Sequence, residues 1–142
     1  MDTPAIEKLI PHRPPFLWVD RIISIEENKV VTQKQIPEDL DLFKGHYPGN
    51  PLMPGVILCE SIFQSGAILM SSILKDDPDK QNLSPVLTRI ENAKFKKMVR
   101  PGDLAEIEVN LEETLSSVSF FKGKLRVNGK VAVIVSFTCA LA

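Results

Sequence analysis

"PGVILCESIFQSGAILMSSIL", residues 54–74, decides the architecture. Its apolar residues recur with helical spacing. Val56, Ile62, Phe63, Ile73 and Leu74 spread too far round the circumference to form one stripe. A helix that is apolar nearly all round is buried rather than laid on a surface. Glu60, Gln64 and several serines interrupt the run, which argues against a membrane span. Some other part of the chain must therefore wrap this helix.

The flanking sequence supplies strands. Downstream, residues 85–99, 104–113, 116–127 and 130–142 are strand-like, with turns at "RPGD" (100–103) and at Asn128-Gly129. Asn-Gly between two such runs is a strong hairpin signal. In "AEIEVNL", Ile107, Val109 and Leu111 share one face while Glu106, Glu108 and Asn110 share the other. Upstream, Thr3 reads as an N-cap with Pro4 at the first position of a short helix to about Leu9. "PHRPP" (11–15) forces extended backbone, and residues 16–27 and 29–36 read as a hairpin. Residues 37–55 and 75–82 are loops by their proline, glycine and polar content. The expected fold class is α+β: five or six mostly antiparallel strands around one long central helix. Such a sheet leaves an open edge, so a homodimer that continues it is expected.

Composition narrows the function classes. The 142 residues, 44% hydrophobic and 25% charged, suit one soluble domain spanning 1–142. A net charge of -1 argues against nucleic acid as the main partner. Cys59 and Cys139 lie in apolar runs without metal-ligand or CxxC spacing, and read as buried thiols in a reducing compartment. The first ten residues, "MDTPAIEKLI", lack the apolar core of a secretory signal. Cytoplasmic location is the expectation.

The approach to the helix, "GHYPGNPLMPGVILCE" (45–60), carries the chemistry. Burying a lone carboxylate such as Glu60 costs several kcal/mol, roughly, unless it is paired or neutralised. Gln64 stands four residues on, on the same helical face, where its amide can hold that carboxyl. Gly55 permits close approach of a bound group, and its N–H or that of Val56 is placed to polarise a carbonyl. Pro48, Pro51 and Pro54 restrict the loop that carries His46. An imidazole, an acid in an apolar setting and an oxyanion-binding N–H suit removal of a proton next to a carbonyl, with loss of a β-substituent.

"HYPGNPLMPGVILCE" resembles the active-site signature of the FabZ family, the 3-hydroxyacyl-acyl-carrier-protein dehydratases of type II fatty-acid synthesis. "LIPHRPPFLWVDRI", "ESIFQSGAIL" and "ENAKFKKMVRPGDLAEIEV" resemble other family segments in the same order, so the likeness runs over most of the chain. The resemblance implies the hot-dog fold, with His46 and Glu60 as the catalytic pair, Gly55 as the carbonyl-polarising amide and Val56 beside it. It also implies that the two catalytic groups of one site come from different subunits, in a dimer or a trimer of dimers. The substrate would be a 3-hydroxyacyl chain on an acyl-carrier protein and the product a trans-2-enoyl thioester, without metal or other cofactor. Related dehydratase-isomerases place aspartate where Glu60 stands, which favours a plain dehydratase. Tyr47 departs from the usual phenylalanine, and "CESIFQS" is less alanine-rich than the family pattern.

Other features fall outside that site. Lys94, Lys96, Lys97 and Arg100 form the one dense basic cluster, with Lys94 and Lys96 on one strand face and Phe95 opposite. They read either as a solvated face or as a dock for an acidic carrier protein. His12 reads as structural, and Phe16, Trp18, Ile62, Phe63 and Met70 as core. Two other functions remain open from the residues: a hot-dog acyl thioesterase using Glu60 to activate water, and a non-catalytic acyl-binding subunit. The second gains nothing from a desolvated acid.

Overall fold

The computed structural model describes residues 3–142. Its elements are α1 (Thr3–Glu7), β1 (Arg21–Ile25), β2 (Lys29–Gln35), α2 (Gly55–Leu74), β3 (Pro85–Phe95), β4 (Leu104–Leu115), β5 (Val118–Val127) and β6 (Lys130–Leu141). Single 3-10 turns occupy Asp41–Lys44 and Pro78–Lys80. Every strand pairing is antiparallel, and the six strands form one sheet in the order β1-β2-β4-β5-β6-β3. The sheet packs around α2, the α+β hot-dog arrangement expected from the sequence.

Burial of α2 follows from its apolar circumference. Leu58, Cys59 and every residue from Ser61 to Met70 are buried. By length and apolarity α2 could cross a bilayer, yet 67% of its most apolar window lies inside the protein. Val56 and Ile73, near the two ends of the helix, depart from the expectation and are exposed.

Two glycines set how closely helix and sheet approach. A Cβ on Gly66 would lie 2.8 Å from the Phe137 ring, and one on Gly123 would lie 2.2 Å from Cγ2 of Ile62. Ile62 is fully buried and β-branched, so it has little freedom to withdraw. Gly123→Ala should therefore destabilise the fold by about 1–3 kcal/mol through overpacking. Thermal unfolding checks this, and an unchanged midpoint would contradict the close approach.

The later strands match the sequence pattern. Ile107 and Val109 point into the core while Glu106 is exposed. Asn128 (φ 53) and Gly129 (φ 77) both take positive φ, as a two-residue hairpin turn of this type requires. Trp18, Ile62, Phe63 and Met70 are core residues, but Phe16 is 48% exposed.

Three departures from the sequence reading have a visible physical reason. Thr3 is the first helical residue of α1 and so is not its cap; the residue before it lies outside the described residues. The strand expected from residue 16 begins only at Arg21. Backbone groups of Phe16 and Trp18 bond to α2 instead. Trp18 N–H donates to Gln64 Oε1 (2.8 Å), Gln64 Nε2 donates to Phe16 O (3.0 Å), and Ser61 Oγ donates to Trp18 O. Backbone satisfied by helix side chains is not free for a ladder.

The third difference concerns β3, which stops at Phe95 rather than near 99. Its register shifts between Leu87 and Arg89 and again between Glu91 and Lys94. Lys96 and Lys97 both direct their N–H to Ala132 O (2.7 and 3.4 Å), which ends the alternation expected for Lys94, Phe95 and Lys96. As the outermost strand β3 leaves Val86, Leu87, Ile90 and Phe95 exposed beside an unpaired edge.

Candidate active site

The loop after β2 is rigid for reasons visible in its bonding. His46 N–H donates to Leu42 O (3.0 Å), Asn50 N–H to Tyr47 O (2.9 Å) and Met53 N–H to Val99 O (2.8 Å). Arg100 Nη1 donates to Asn50 Oδ1 (2.8 Å), tying the loop to the end of the β3–β4 turn. Tyr47 holds a positive φ of 57, a conformation in which L side chains are uncommon. Its ring meets the His46 ring edge-on at 4.7 Å.

This bonding fixes the chemistry of His46. Its Nδ1 lies 2.8 Å from Leu52 O. A carbonyl oxygen only accepts, so Nδ1 carries the hydrogen and Nε2 keeps the lone pair. In the neutral form of His46, Nε2 is thus the nitrogen free to accept a proton.

His46 and Tyr47 line a cavity of about 460 Å³, together with Gly55 and Leu58 of α2 and Phe95 and Val99 after them. The close packing of Phe95 on Gly55 explains the glycine: a Cβ there would lie 2.7 Å from the Phe95 ring. At the start of α2, Ile57 and Leu58 N–H return to Pro54 O (3.0 and 3.1 Å). The N–H groups of Gly55 and Val56 precede the first intrahelical bonds and face outward along the axis. The Val56 side chain is 74% exposed and does not line the cavity.

Glu60 lies elsewhere. At roughly 100° per residue it sits about 140° round the helix from Gly55 and about 200° from Leu58, and it is absent from the cavity wall. Within one chain the structure does not bring Glu60 to His46. The sequence suggested a deeply desolvated acid, but the Glu60 side chain is 22% exposed in the single chain. Its Oε2 accepts from Gln64 Nε2 at 3.0 Å, the pairing expected from the four-residue spacing. Gln64 is 1% exposed, and its amide bonds run to Phe16, Trp18 and Glu60.

Of the basic cluster, Lys96 and Lys97 border the His46 cavity, and Lys94 and Arg100 are exposed nearby. Arg100 also braces the loop through Asn50.

Sequence reasoning did not foresee the contact that His12 makes. Its Nε2 lies 3.8 Å from Glu60 Oε2, although the two are far apart in the chain. The prolines around it accounted for the backbone so fully that no signal remained for its side chain.

Burial raises the Cys59 thiol and pushes that of Cys139 up to about 11. Neither forms a ready thiolate nucleophile at neutral pH. Both are free and buried, as expected.

A family model described as FabA-like domain matches residues 10–136. The chain is 38% identical over 139 residues to a protein of Ligilactobacillus salivarius (strain UCC118) named 3-hydroxyacyl-[acyl-carrier-protein] dehydratase FabZ, covering 97% of this chain and 96% of that one. A protein of the same name from Bacillus velezensis is 37% identical over 142 residues, covering 99% and 98% of the two chains. Among solved structures, the dehydratase heterocomplex ApeI:P from Xenorhabdus doucetiae superposes with a TM-score of 0.81 at 16% identity, over 96% of this chain and 90% of that one. The E. coli PaaI protein from the phenylacetic acid degradation operon gives a TM-score of 0.66 at 14% identity, over 84% and 81%. At such identities the structures speak for the fold alone.

Proposed function

Because the chain belongs to the FabA-like domain family, we propose that it is a 3-hydroxyacyl-acyl-carrier-protein dehydratase of type II fatty-acid synthesis, with His46 and Glu60 as its acid–base pair. The observation that carries the assignment of roles is the bond from His46 Nδ1 to Leu52 O, which leaves Nε2 basic at an apolar cavity.

The reaction follows from these positions. The acyl thioester lies in the cavity with its carbonyl oxygen toward the Gly55 N–H, where the helix N-terminus favours developing negative charge. His46 Nε2 removes the α-proton. Glu60, entering as the neutral acid, gives its proton to the β-hydroxyl, which leaves as water. The α-proton then resides on His46 and the Glu60 carboxylate awaits a proton, so the charges balance. The product is a trans-2-enoyl thioester. Gln64, buried and bonded to Glu60, positions the acid without touching substrate.

Glu60 reaches this cavity from a second subunit. Three observations support the shared site: Glu60 is on a different face of α2, it is absent from the cavity wall, and the unpaired β3 edge exposes a row of apolar side chains suited to pairing with a second copy. Two copies joined there continue the sheet, and dimers of this kind are free to assemble further into a trimer of dimers. The location that fits this pathway and two free thiols is the cytoplasm.

Lys96 and Lys97 at the cavity, with Lys94 and Arg100 beside them, form the docking surface for the acidic carrier. Reversing Lys96 and Lys97 to glutamate should raise KM for a carrier-bound substrate about tenfold, and leave KM for the same acyl group on a small thiol within about twofold. An equal rise for both substrates would contradict docking.

The reaction itself is tested by following enoyl absorbance and free thiol together on 3-hydroxyacyl-carrier protein. Enoyl formation without thiol release is expected. Thiol release without enoyl would make the chain a thioesterase, and tight binding without turnover would make it an acyl-binding subunit.

A further inference from the structure

The Glu60 carboxyl has two nitrogen neighbours on the same oxygen. Gln64 Nε2 donates to Oε2 at 3.0 Å, and His12 Nε2 approaches that atom at 3.8 Å. No such neighbour is found on Oε1 among the described residues. The other nitrogen of His12, Nδ1, is buried and has no partner among the described residues. The imidazole hydrogen is therefore of use only at Nε2, where the carboxyl oxygen can accept it.

His12 is also held in place. Arg13 Nη1 donates to the His12 carbonyl (2.7 Å) and to Ile10 O (2.9 Å), while Nη2 donates to Glu7 O (2.9 Å). The guanidinium thus ties the segment after α1 into a fixed loop that presents His12 to α2.

We propose that His12 is a positioning residue for Glu60, acting with Gln64 to reserve Oε2 as the acceptor oxygen so that the transferable proton sits on Oε1. The chemistry is direct. A neutral carboxyl has one oxygen that accepts and one that donates. The Gln64 N–H at 3.0 Å, with His12 Nε2 close by at 3.8 Å, makes Oε2 the acceptor, which leaves the O–H on Oε1 for the β-hydroxyl. As that proton leaves, negative charge develops, and both donors shorten onto Oε2. The 3.8 Å separation closes by a small ring rotation, in keeping with catalytic hydrogen bonds that are long before substrate binds. Unlike the Gln64 contact, which the four-residue helical spacing makes local, the His12 contact ties the acid to the N-terminal segment.

The inference rests on the dehydratase reading, and the test separates the two. In otherwise native protein, H12F should lower kcat about tenfold with KM changed less than about twofold, because the lost donor stabilises charge that appears during the reaction. H12Q, whose amide nitrogen reaches about where Nε2 stands, should keep most of the rate. Equal losses for both variants, or none for either, would overturn the proposal. Mixed dimers then locate the effect. In a dimer of an H46A chain and an E60A chain, the working site draws its acid from the H46A chain. H12F on that chain should slow the site about tenfold, and on the E60A chain no more than about twofold. A merely structural histidine would cost the same on either chain. Absence of enoyl formation in the native enzyme would defeat the dehydratase reading itself. An inactive parent mixture would defeat the shared site, and the comparison of phenylalanine with glutamine would still decide His12.

Discussion

His46→Ala should lower kcat/KM for enoyl formation by at least about a thousandfold, since a positioned general base contributes roughly 10²–10⁴ and its loss also leaves the α-proton without an acceptor. The fold should survive. His46 lies on a loop that is held independently by the bonds of Asn50, Met53 and Arg100, so removing the ring costs only its bond to Leu52 O and its edge contact with Tyr47. Circular dichroism and the unfolding midpoint should stay close to native while turnover vanishes. Retention of more than about a tenth of native activity would remove His46 from the reaction.

The His46 tautomer adds a finer point. Because Nδ1 is committed to a carbonyl, a substitution that offers nitrogen only at the Nδ1 position, such as His46→Asn, should restore the loop bond and none of the rate. Loss of activity with the loop intact separates the base from its support.

How much of this was legible in the sequence varies with the physics behind each signal. The central helix was readable because an apolar circumference has one physical outcome, burial. The hairpin at Asn128-Gly129 was readable because few residues other than these accept positive φ twice in succession. Gln64 was readable as the partner of Glu60 because i and i+4 meet on any helix.

What stayed hidden depends on contacts between distant segments. Residues 16–18 carry a strand-like composition, but three of their backbone hydrogen bonds go to Ser61 and Gln64, far along the chain. His12 meets Glu60 only because the N-terminal segment crosses α2. Arg100, read as one charge in a basic cluster, also holds Asn50. Glu60 was read from its apolar neighbours as a deeply buried acid; in the single chain its side chain is partly exposed. Composition reports what surrounds a residue along the chain, and the site is built from what surrounds it in space.

The second large effect is a recovery of activity. Glu60→Ala should be as inactive as His46→Ala, since the acid and the base act in one step and neither substitutes for the other. The account's central claim is that the two groups meet across a subunit boundary. Equal amounts of the two inactive proteins, carried through subunit exchange and verified as heterodimers by differently tagged chains, provide the most direct measurement. Half of the dimers are then mixed and each has one site holding both groups, so specific activity should rise to about a quarter of native, as two-fold symmetry requires. Demonstrated heterodimers that remain as inactive as their parents would contradict the shared site.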